Sequence, residues 1–387
     1  MVVVGAGIAG AAVARELAMR GAEVVVVERG SLACGASSHG EGNLLVSDKL
    51  VGPELELAKL SLSAWRDLAD LAGERFEYRA KGGLVVALDE AELGRLERLA
   101  AEQARSGVSC ELLAPQELAK LEPELALDLA GGVFYPEDAQ VQPMAAVRVL
   151  IDQARSKGAK ILLGQAVLGA RRGPDAKIVS LLTTDGPLSL SGAVFNCAGV
   201  EASHVARVCG GFMPLRPRRG VVLVVERCRG FVNHKVYEAG YVSGVYDMAK
   251  GAAVSAVVES TEAGTLLLGS SREWASYSSE VSPSLISAIA RRAVRLFPKL
   301  AQLKLIRYYV GFRPTSPDGF PIIGRDISVT NLYHVGGQEG AGVGLALGAA
   351  ALGAAWLSGD PLPDYAKAFA PERFGAGGTW WGWDESP

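Results

Sequence analysis

The first thirty residues contain the pattern that most restricts what this chain can fold into. The β-branched residues 2–4 predict a buried strand, the helix-forming residues 11–20 predict a helix that Gly21 ends, and residues 23–28 predict a second strand. Between the first strand and the helix, three glycines follow the spacing GxGxxG: Gly5, Gly7 and Gly10. Because this turn lies inside a complete β-α-β unit, the sequence predicts a Rossmann-like α/β domain rather than an ordinary turn.

Each glycine of this turn has a separate physical role. Gly5 permits the tight turn, Gly7 lets a pyrophosphate approach the backbone, and Gly10 allows the helix to pack closely on the strand. The first helical residues, Ile8 and Ala9, would then present the positive end of the helix to the phosphates. The turn therefore predicts a dinucleotide site.

Glu28 ends the second strand, 18 residues beyond Gly10, where a carboxylate can accept hydrogen bonds from a ribose diol. A 2′-phosphate would be repelled there. Glu28 is therefore predicted to contact an adenosine ribose, and the adjacent Arg29 is expected among the cofactor-binding residues. FAD and NAD both contain this half, so the motif alone does not choose between them. The next loop, CGASSHGEGNLL at residues 34–45, is small, polar and suited to wrap a second phosphate and a flavin.

At this loop the chain resembles the D-amino-acid-oxidase-like family of FAD-dependent oxidoreductases. The family's GAS-type loop matches Gly35, Ala36, Ser37, Ser38, Gly42 and Asn43. The resemblance implies FAD as cofactor and an α/β fold: a Rossmann-like, glutathione-reductase-like FAD-binding domain with an inserted antiparallel-sheet substrate domain. It also implies cofactor contacts elsewhere in the chain, at Val167, Ala198, Gly199, Gly311, Gly337, Gly340, Ala341, Gly342 and Val343.

His39 leaves two modes of FAD binding open. It is in register with the histidine of a GSTWHAAG loop through which some members of the family attach flavin covalently. Members of the opine-oxidase type bind FAD without a bond. Noncovalent binding is the favoured expectation, with covalent attachment through His39 as the alternative.

The resemblance also implies how the two domains alternate along the chain. The FAD-binding domain is expected at residues 1–75, 140–215 and 300–387, and the substrate domain at residues 76–139 and 216–299.

The segment YYVGFRPTSPDGFPIIG, residues 308–324, matches the family's GxRP…DGxPxIG pattern. In amino-acid-oxidising members the arginine of this pattern holds the substrate carboxylate, so Arg313 is the expected substrate contact. Its rigid guanidinium would fix the substrate Cα–H over flavin N5. The alternative for Arg313 is a buried structural ion pair.

A second basic residue of glycine-oxidase-like members is replaced here by Gly340, which puts a small glycine-like substrate in doubt. Gln338 and Glu339 could instead contact a substrate amine or a larger second group. A hydroxyl partner is expected from Tyr237, Tyr241 or Tyr246, and Tyr241 is favoured among the three. The alternative for each of them is an aromatic side chain that only packs on the sheet. Tyr237 and Tyr241 are expected to share one face of a strand.

The stretch GAGVGLALGAAALGAAWLSG, residues 340–359, contains no charged side chain and is long enough to span a membrane. Few large apolar residues and no basic flank favour a buried helix at 343–357 instead. In the family this helix points its N-terminus at the flavin pyrimidine, where it would stabilise negative charge on the reduced cofactor.

The amino-acid composition limits the kinds of partner that this chain is expected to bind. A net charge of −3 supplies no broad attraction for nucleic acid, and Arg216, Arg218 and Arg219 are expected to form a solvated surface patch. The five cysteines are scattered, which predicts neither a metal site nor a disulfide framework. With no secretory signal pattern at the start, a cytoplasmic location is expected.

The sequence thus predicts an FAD-dependent oxidoreductase that takes a hydride from a C–N bond of an amino acid or N-substituted amino acid. A redox partner subunit is a further expectation. The main alternative is a noncatalytic, FAD-bearing subunit for assembly or electron relay, which an internal ion pair at Arg313 would favour. A third hypothesis, an RNA-modifying flavoprotein, is weakened by the acidic balance.

Overall fold

Two large β-sheets organise the chain in the computed structural model, which describes residues 1–173, 175–242 and 253–375. In chain order the strands are β1 (Val2–Val4), β2 (Val25–Glu28), β3 (Asn43–Leu44), β4 (Gly83–Ala87), β5 (Glu111–Leu113), β6 (Gly131–Tyr135), β7 (Ala139–Gln140), β8 (Lys160–Leu163), β9 (Val167–Arg172), β10 (Ile178–Thr183), β11 (Gly186–Ser189), β12 (Val194–Asn196), β13 (Arg216–Arg227), β14 (Lys235–Glu238), β15 (Ala253–Ser260), β16 (Thr265–Arg272), β17 (Leu305–Thr315), β18 (Ile322–Arg325) and β19 (Leu332–Gly336).

The α-helices of the described residues lie between these strands. They are α1 (Ile8–Met19), α2 (Pro53–Ala72), α3 (Glu90–Arg105), α4 (Pro115–Leu121), α5 (Pro143–Ser156), α6 (Ala202–Val208), α7 (Pro283–Leu296) and α8 (Gly342–Ser358).

The first sheet has the strand order β18–β19–β12–β1–β2–β8. All its neighbouring strands run parallel except β18 and β19. Helices α1, α5 and α8 pack on one face, while the smaller sheet of β9, β10 and β11 covers the other. Burial on both faces explains why β1 is all valine, since a strand without a solvent face has no place for polar side chains.

The second sheet has the order β17–β13–β16–β15–β14–β4–β6–β5. Its pairs are antiparallel except β14 with β4, which run parallel and join the two inserted segments. Helix α7 covers this sheet with Leu285, Ile289 and Ala293, which lie at helical spacing on its buried face. Ser282 accepts a hydrogen bond from the N–H of Leu285 and so caps the start of α7.

The predicted α/β class is confirmed, with one difference in detail. The inserted sheet was expected to be antiparallel, and the β4–β14 pair is parallel because these strands come from separate insertions rather than from one hairpin. The boundaries of the five predicted segments stay a prediction.

The charge-free stretch forms α8. Among the described residues, Glu339–Ser358 is the one helix long and apolar enough to cross a membrane, and 56% of its apolar window is buried inside the fold. It packs against α1 and α2. The indole N–H of Trp65 in α2 donates to the Val343 carbonyl, which ties the two helices together. This packing is that of a core helix.

Candidate active site

The carboxyl edge of the parallel sheet gathers most of the predicted cofactor residues. Strand β1 leads into Gly5, β2 ends at Glu28, β12 leads to Ala198 and Gly199, and β19 leads to Gly337. Since parallel strands end at the same edge, these segments lie side by side although they are far apart in sequence. Val167, at the start of β9, is buried against the opposite face of this sheet.

The glycine turn is closely packed. Gly5 has a φ of 104°, and a Cβ at this position would lie 2.5 Å from the Cys197 carbonyl oxygen. A Cβ on Gly10 would lie 1.9 Å from the Gly5 carbonyl oxygen, so helix α1 approaches the turn as closely as its backbone allows. The N–H of Ile8 donates to Ser37 Oγ at 2.9 Å, which fixes the following loop over the N-terminus of α1, where Ala9 also lies.

Glu28 braces this turn. Its Oε2 accepts from the N–H of Ala6 and its Oε1 from the N–H of Gly30, both at 2.8 Å, and the residue is 8% exposed. Oε1 also accepts a hydrogen bond from the Cys34 thiol at 3.4 Å, whereas Oε2 has a further lone pair that is compatible with a ribose contact. Arg29 points outward, with a side chain 61% exposed and 3.6 Å from Glu201.

The loop after β2 begins with a short 3₁₀ turn, Ala36–Ser38. His39 Nδ1 lies 2.9 Å from both the Gly35 carbonyl oxygen and Ser38 Oγ, and the His39 ring lies edge-on to Tyr309 at 6.2 Å. Gly311 of β17 lets this loop approach, because a Cβ there would lie 2.9 Å from the His39 carbonyl oxygen. The loop therefore lies between the two sheets.

Gly42 and Asn43 complete the loop. Gly42 has a φ of 85°, and a Cβ there would lie 1.9 Å from the Val141 carbonyl oxygen. Asn43 Nδ2 donates to Glu41 at 3.0 Å, whereas its buried Oδ1 has no hydrogen-bond partner among the described residues. A buried acceptor without a donor marks a place where a ligand N–H or O–H would fit.

Arg313 lies on β17, where the sequence motif placed it. Its Nη1 donates to the Ser271 carbonyl at 2.9 Å and to the Arg219 carbonyl at 3.3 Å. The guanidinium crosses β13 above Gly220, where a Cβ would lie only 2.3 Å from Nη1. Two strand carbonyls and a missing side chain thus fix its orientation.

Two further arginines meet Arg313 at a buried glutamate. Glu339 Oε1 lies 3.5 Å from Arg272 Nε, 3.8 Å from Arg218 Nη1 and 3.8 Å from Arg313 Nε. Strands β17, β13 and β16 are neighbours, and each contributes one arginine. Burial would raise the pKa of Glu339, but the three guanidiniums outweigh it and hold that pKa below its usual value.

Sequence reasoning missed Arg218 and Arg272 as parts of the site. Arg218 and Arg219 were expected on a solvated surface, and this expectation is wrong: they are 2% and 8% exposed. Arg219 turns the other way and pairs with Glu273 at 3.0 Å. The available signal was that Arg218 and Arg219 precede an apolar run in one strand, so both must lie at the buried end of that strand.

Tyr241 lies beside the arginines, but not on a strand as predicted. Strand β14 ends at Glu238 and the chain turns into a helical segment, so Tyr237 and Tyr241 do not share a strand face. Their rings still meet edge-on at 5.1 Å, and the guanidinium of Arg272 lies 4.6 Å above the Tyr241 ring. The third candidate, Tyr246, lies outside the described residues.

A small cavity lies where these groups converge. Its enclosed volume is about 10 Å³, the space of one water molecule. Arg272, Tyr241 and Gln338 line it together with the 3₁₀ turn Glu339–Ala341, which leads into α8 at Gly342 and Val343. Asp48, Lys49 and Glu54 form a further wall, with the Lys49 ammonium 2.8 Å from Asp48.

Two buried donors at this cavity lack acceptors within the described part of the chain. They are Nε of Arg272, which is 2% exposed, and Nε2 of Gln338, which is 4% exposed. Arg272 Nε still has an ionic partner in Glu339 Oε1 at 3.5 Å. Because an unpaired buried donor costs free energy, it is Gln338 Nε2 that favours a ligand that supplies an oxygen atom. Gly340 has no side chain to fill the space beside these donors, whereas a Cβ there would lie 3.4 Å from Arg313 Nε.

The Arg313–Glu339 contact is the kind of internal pairing that the noncatalytic alternative expects. At 3.8 Å it exceeds the length of a charge-assisted hydrogen bond, and two other arginines share the same oxygen. The contact therefore neutralises part of the charge without forming a closed, bidentate pair.

Comparison with known proteins places the chain among flavin enzymes. It is 26% identical over 386 residues to an opine oxidase subunit from Rhizobium meliloti, covering 97% of this chain and 98% of that protein. It is also 26% identical over 340 residues to the bifunctional protein ThiO/ThiG from Nostoc sp., covering 84% of this chain but 47% of the relative, so the chain spans about half the length of that protein.

The fold has close counterparts among solved structures. L-proline dehydrogenase from P. horikoshii superimposes with a TM-score of 0.87 at 23% identity, covering 96% of each chain. The profile of the DAO family, described as FAD dependent oxidoreductase, matches residues 1–356. The chain therefore belongs to the DAO family of FAD-dependent oxidoreductases.

Proposed function

We propose that this protein oxidises the C–N bond of an amino acid or N-substituted amino acid to an imine. The observation that carries the proposal is Arg313, whose guanidinium is fixed by two strand carbonyls beside the turn that leads into α8. A guanidinium held in this way matches a carboxylate and leaves the neighbouring C–N bond in a defined position.

The residues at the carboxyl edge of the parallel sheet fit FAD. The glycine turn admits a pyrophosphate at the N-terminus of α1, and Asn43 Oδ1 is a buried acceptor without a donor in the described structure. FAD held by these residues would supply the two-electron oxidant for the C–N bond. The N–H groups at the N-terminus of α8 would stabilise negative charge on the reduced cofactor.

The chain's own residues then divide the remaining tasks. Arg313 binds the substrate carboxylate, and Tyr241 and Gln338, which line the neighbouring cavity, orient the rest of the substrate. The amine loses its proton to solvent before the hydride leaves, so no strong side-chain base is needed. Water then adds to the imine and releases a carbonyl compound and an amine.

The names of two similar proteins support an amine or amino-acid substrate, and the names of two support membership of a complex. One is named opine oxidase and one solved counterpart is named L-proline dehydrogenase. The former is named as a subunit, and so is a relative from Escherichia coli, the anaerobic glycerol-3-phosphate dehydrogenase. We therefore extend the proposal to a redox partner subunit that receives the electrons. A cytoplasmic location is part of the same proposal and is supported by five free cysteines.

FAD binding without a covalent bond belongs to the proposal as well. His39 Nδ1 already contacts the Gly35 carbonyl oxygen and Ser38 Oγ, which fixes the ring within its own loop. Acid precipitation of the purified protein is expected to release all the flavin into the supernatant. Flavin that stays with the pellet in wild type but not in His39→Ala would establish the covalent alternative.

The test of the proposed reaction is an anaerobic titration of the FAD-loaded protein with candidate amines, read in the visible flavin spectrum. One amino acid or N-substituted amino acid is expected to bleach the flavin, and Arg313→Met should raise the concentration needed by about 100-fold, the loss of a bidentate charged contact. Arg227→Met is the matched control, because Arg227 is exposed at the end of the neighbouring strand β13 and lines neither this cavity nor the one beside the FAD loop. Admitting air then separates an oxidase from a dehydrogenase.

Flavin that no amine bleaches, in a protein that retains FAD, would contradict the proposed reaction and favour the noncatalytic subunit. Equal bleaching of wild type and Arg313→Met would remove Arg313 from the site while leaving the reaction in place.

A further inference from the structure

We infer that the Glu339 carboxylate occupies the position of the substrate carboxylate in this structure and leaves it when an amino-acid substrate binds. The inference rests on the proposed function, since it concerns how Arg313 becomes available to the substrate. Glu339 is then the residue that sets the affinity of the site for carboxylates, because every carboxylate ligand has to displace it.

The first argument is the chemistry of the place that Glu339 occupies. Its Oε1 lies 3.5 Å from Arg272 Nε and 3.8 Å from both Arg218 Nη1 and Arg313 Nε. These guanidiniums come from three neighbouring strands, β13, β16 and β17. A substrate carboxylate held by Arg313 has to approach the same group of guanidiniums, so the two carboxylates compete for one set of donors.

The contacts that hold the Glu339 side chain against the sheet are long. All three distances exceed the length of a charge-assisted hydrogen bond, about 2.7–2.9 Å, and Oε1 has no hydrogen-bond partner among the described residues. Oε2 accepts from the N–H of Gly340, the next residue, which does not tie the side chain to the sheet. A ligand carboxylate at hydrogen-bond distance would replace long contacts by shorter ones.

The backbone of Glu339 also favours its release. Its φ of 45° lies in the left-handed region, which a non-glycine residue adopts at a cost in free energy. Gly337 precedes the turn with a φ of 71°, and Gly340 and Gly342 follow Glu339. Because glycine adopts many backbone conformations, this short turn can change its shape while β19 and α8 stay in place.

The size of the cavity gives an independent argument. Its enclosed volume is about 10 Å³, the space of one water molecule, whereas even the smallest amino acid is several times larger. Glu339 lines this cavity next to Arg272. Departure of its side chain therefore enlarges the cavity on the side of the arginines, where the substrate carboxylate is expected.

The charges explain why an anion has to replace Glu339. Without it, Arg218, Arg272 and Arg313 would lose the carboxylate that they share. The opposite wall supplies no substitute, because its two carboxylates, Asp48 and Glu54, lie 2.8 and 3.5 Å from the Lys49 ammonium. Since burying unbalanced charge is costly, Glu339 returns to the arginines when the ligand leaves.

The test uses the FAD-loaded protein and methoxyacetate, an ether with one carboxylate that cannot be oxidised at a C–N bond. Calorimetry reports its binding without turnover. Glu339→Gln keeps the size of the side chain and an oxygen that can accept from the N–H of Gly340, but it removes the competing charge. We expect this variant to bind methoxyacetate about ten-fold more tightly than wild type, because one charge-assisted contact no longer has to be displaced.

Glu54→Gln is the matched control. It also removes one negative charge from the lining of this cavity, but it leaves Lys49 paired with Asp48 at 2.8 Å. Because Glu54 contacts Lys49 rather than the arginines, its loss should leave the affinity for methoxyacetate close to that of wild type. Thermal unfolding shows whether both variants are folded.

Proton uptake provides a second readout, which a fixed ion pair would not change. Burial raises the pKa of Glu339, but the guanidiniums of Arg272, Arg313 and Arg218 outweigh it and hold that pKa below its usual value. The pKa rises when the carboxylate leaves them, so binding of methoxyacetate near pH 5 should take up protons in wild type and not in Glu339→Gln. Calorimetry in two buffers of different ionisation enthalpy measures this uptake, and the other groups at the cavity cancel in the comparison.

The outcomes separate this inference from the proposed reaction. Equal or weaker binding by Glu339→Gln, the same gain in Glu54→Gln, or no difference in proton uptake would overturn the displacement of Glu339 even if an amine bleaches the flavin. Tighter binding in Glu339→Gln alone, in a protein whose flavin no amine bleaches, would support the displacement and contradict the oxidation.

Discussion

Arg218 and Arg313 are direct cross-strand partners in β13 and β17. Like charges on directly opposite residues destabilise a sheet, and Arg272 on the neighbouring strand β16 adds a third positive charge. Glu339 compensates only part of this repulsion, and its own φ of 45° is a left-handed conformation that non-glycine residues rarely adopt. Such a local cost is typical of residues that a ligand later stabilises.

Gly220 offers a test of Arg313 that leaves the arginine in place. A methyl group there would lie 2.3 Å from Arg313 Nη1, so Gly220→Ala should displace the guanidinium from the carbonyls of Ser271 and Arg219. We expect the KM of the bleaching amine to rise about ten-fold, the value of one charged hydrogen bond, with FAD content unchanged. Steady-state kinetics and the flavin-to-protein absorbance ratio provide the measurement.

Gly169→Ala is the matched control for this substitution. Gly169 also lies in a strand, and a Cβ there would meet only the Leu182 side chain at an ordinary 3.5 Å. A KM that rises equally in both variants would show that general loosening, rather than the position of Arg313, sets the affinity.

The sequence could identify Arg313 but not the residues around it. Arg313 belongs to a local motif, so its neighbours in the chain reveal it. Arg218 and Arg272 reach the site only because strand register places β13 and β16 beside β17, and no local pattern encodes that register. Tyr241 lines the cavity beside the arginines, and its role there stays a prediction. Its placement on a strand was wrong, because period-two spacing cannot show that the strand ends at Glu238.

At the scale of elements, local signals predicted position well. Helix α7 runs from Pro283 to Leu296, and Ser282 and Pro283 are local sequence signals for its start. The predicted helix at 343–357 corresponds to α8, Gly342–Ser358. What the sequence could not supply was the identity of the partner that buries α8, because a helix that is apolar on all sides shows no preferred face.

The α2–α8 contact provides the element-scale prediction. A Cβ on Gly348 would lie 3.0 Å from both Cδ1 and the carbonyl oxygen of Leu57 and 3.1 Å from Ser61 Cβ. Gly348→Leu should therefore push the helices apart and lower the free energy of unfolding by about 1–3 kcal/mol, the usual cost of overpacking. A lowered Tm of the FAD-loaded protein is the measurement.

Ser358→Leu is the control, because it adds the same side chain at an exposed position of the same helix. We expect Ser358→Leu to leave the Tm unchanged. If Gly348→Leu also left the Tm unchanged, close packing at Gly348 would not contribute to stability.

At the scale of the whole molecule, Asp138 joins the loop after β3 to the inserted sheet. Its Oδ1 accepts from the N–H of Val46 at 2.8 Å, and its Oδ2 accepts from the Ser47 hydroxyl. Ser47 Oγ in turn lies 2.5 Å from the hydroxyl of Tyr237 on β14. The loop after β3 is thus fastened to the inserted sheet through one buried carboxyl group.

Burial raises the pKa of Asp138 from 3.8 to about 7, although its hydrogen bonds oppose the shift. Between these two values the folded state keeps a proton that the unfolded chain has released. The contribution of Asp138 to the free energy of unfolding is therefore complete below about pH 4 and is lost as the pH rises to about 7. Within this window the free energy of unfolding falls by up to about 1.4 kcal/mol for each pH unit.

Asp138→Asn should remove this dependence, because asparagine stays neutral and its amide oxygen can still accept from Val46. Urea unfolding of both FAD-loaded proteins at pH 5, 6, 7 and 8 isolates the contribution of Asp138, because the other titrating groups cancel in the difference between the two free energies of unfolding. The wild type should lose stability relative to the variant between pH 5 and 7 and then level off. A difference that stays constant with pH would mean that Asp138 is ionised in the folded protein, and that Val46 and Ser47 bind a carboxylate rather than a carboxylic acid.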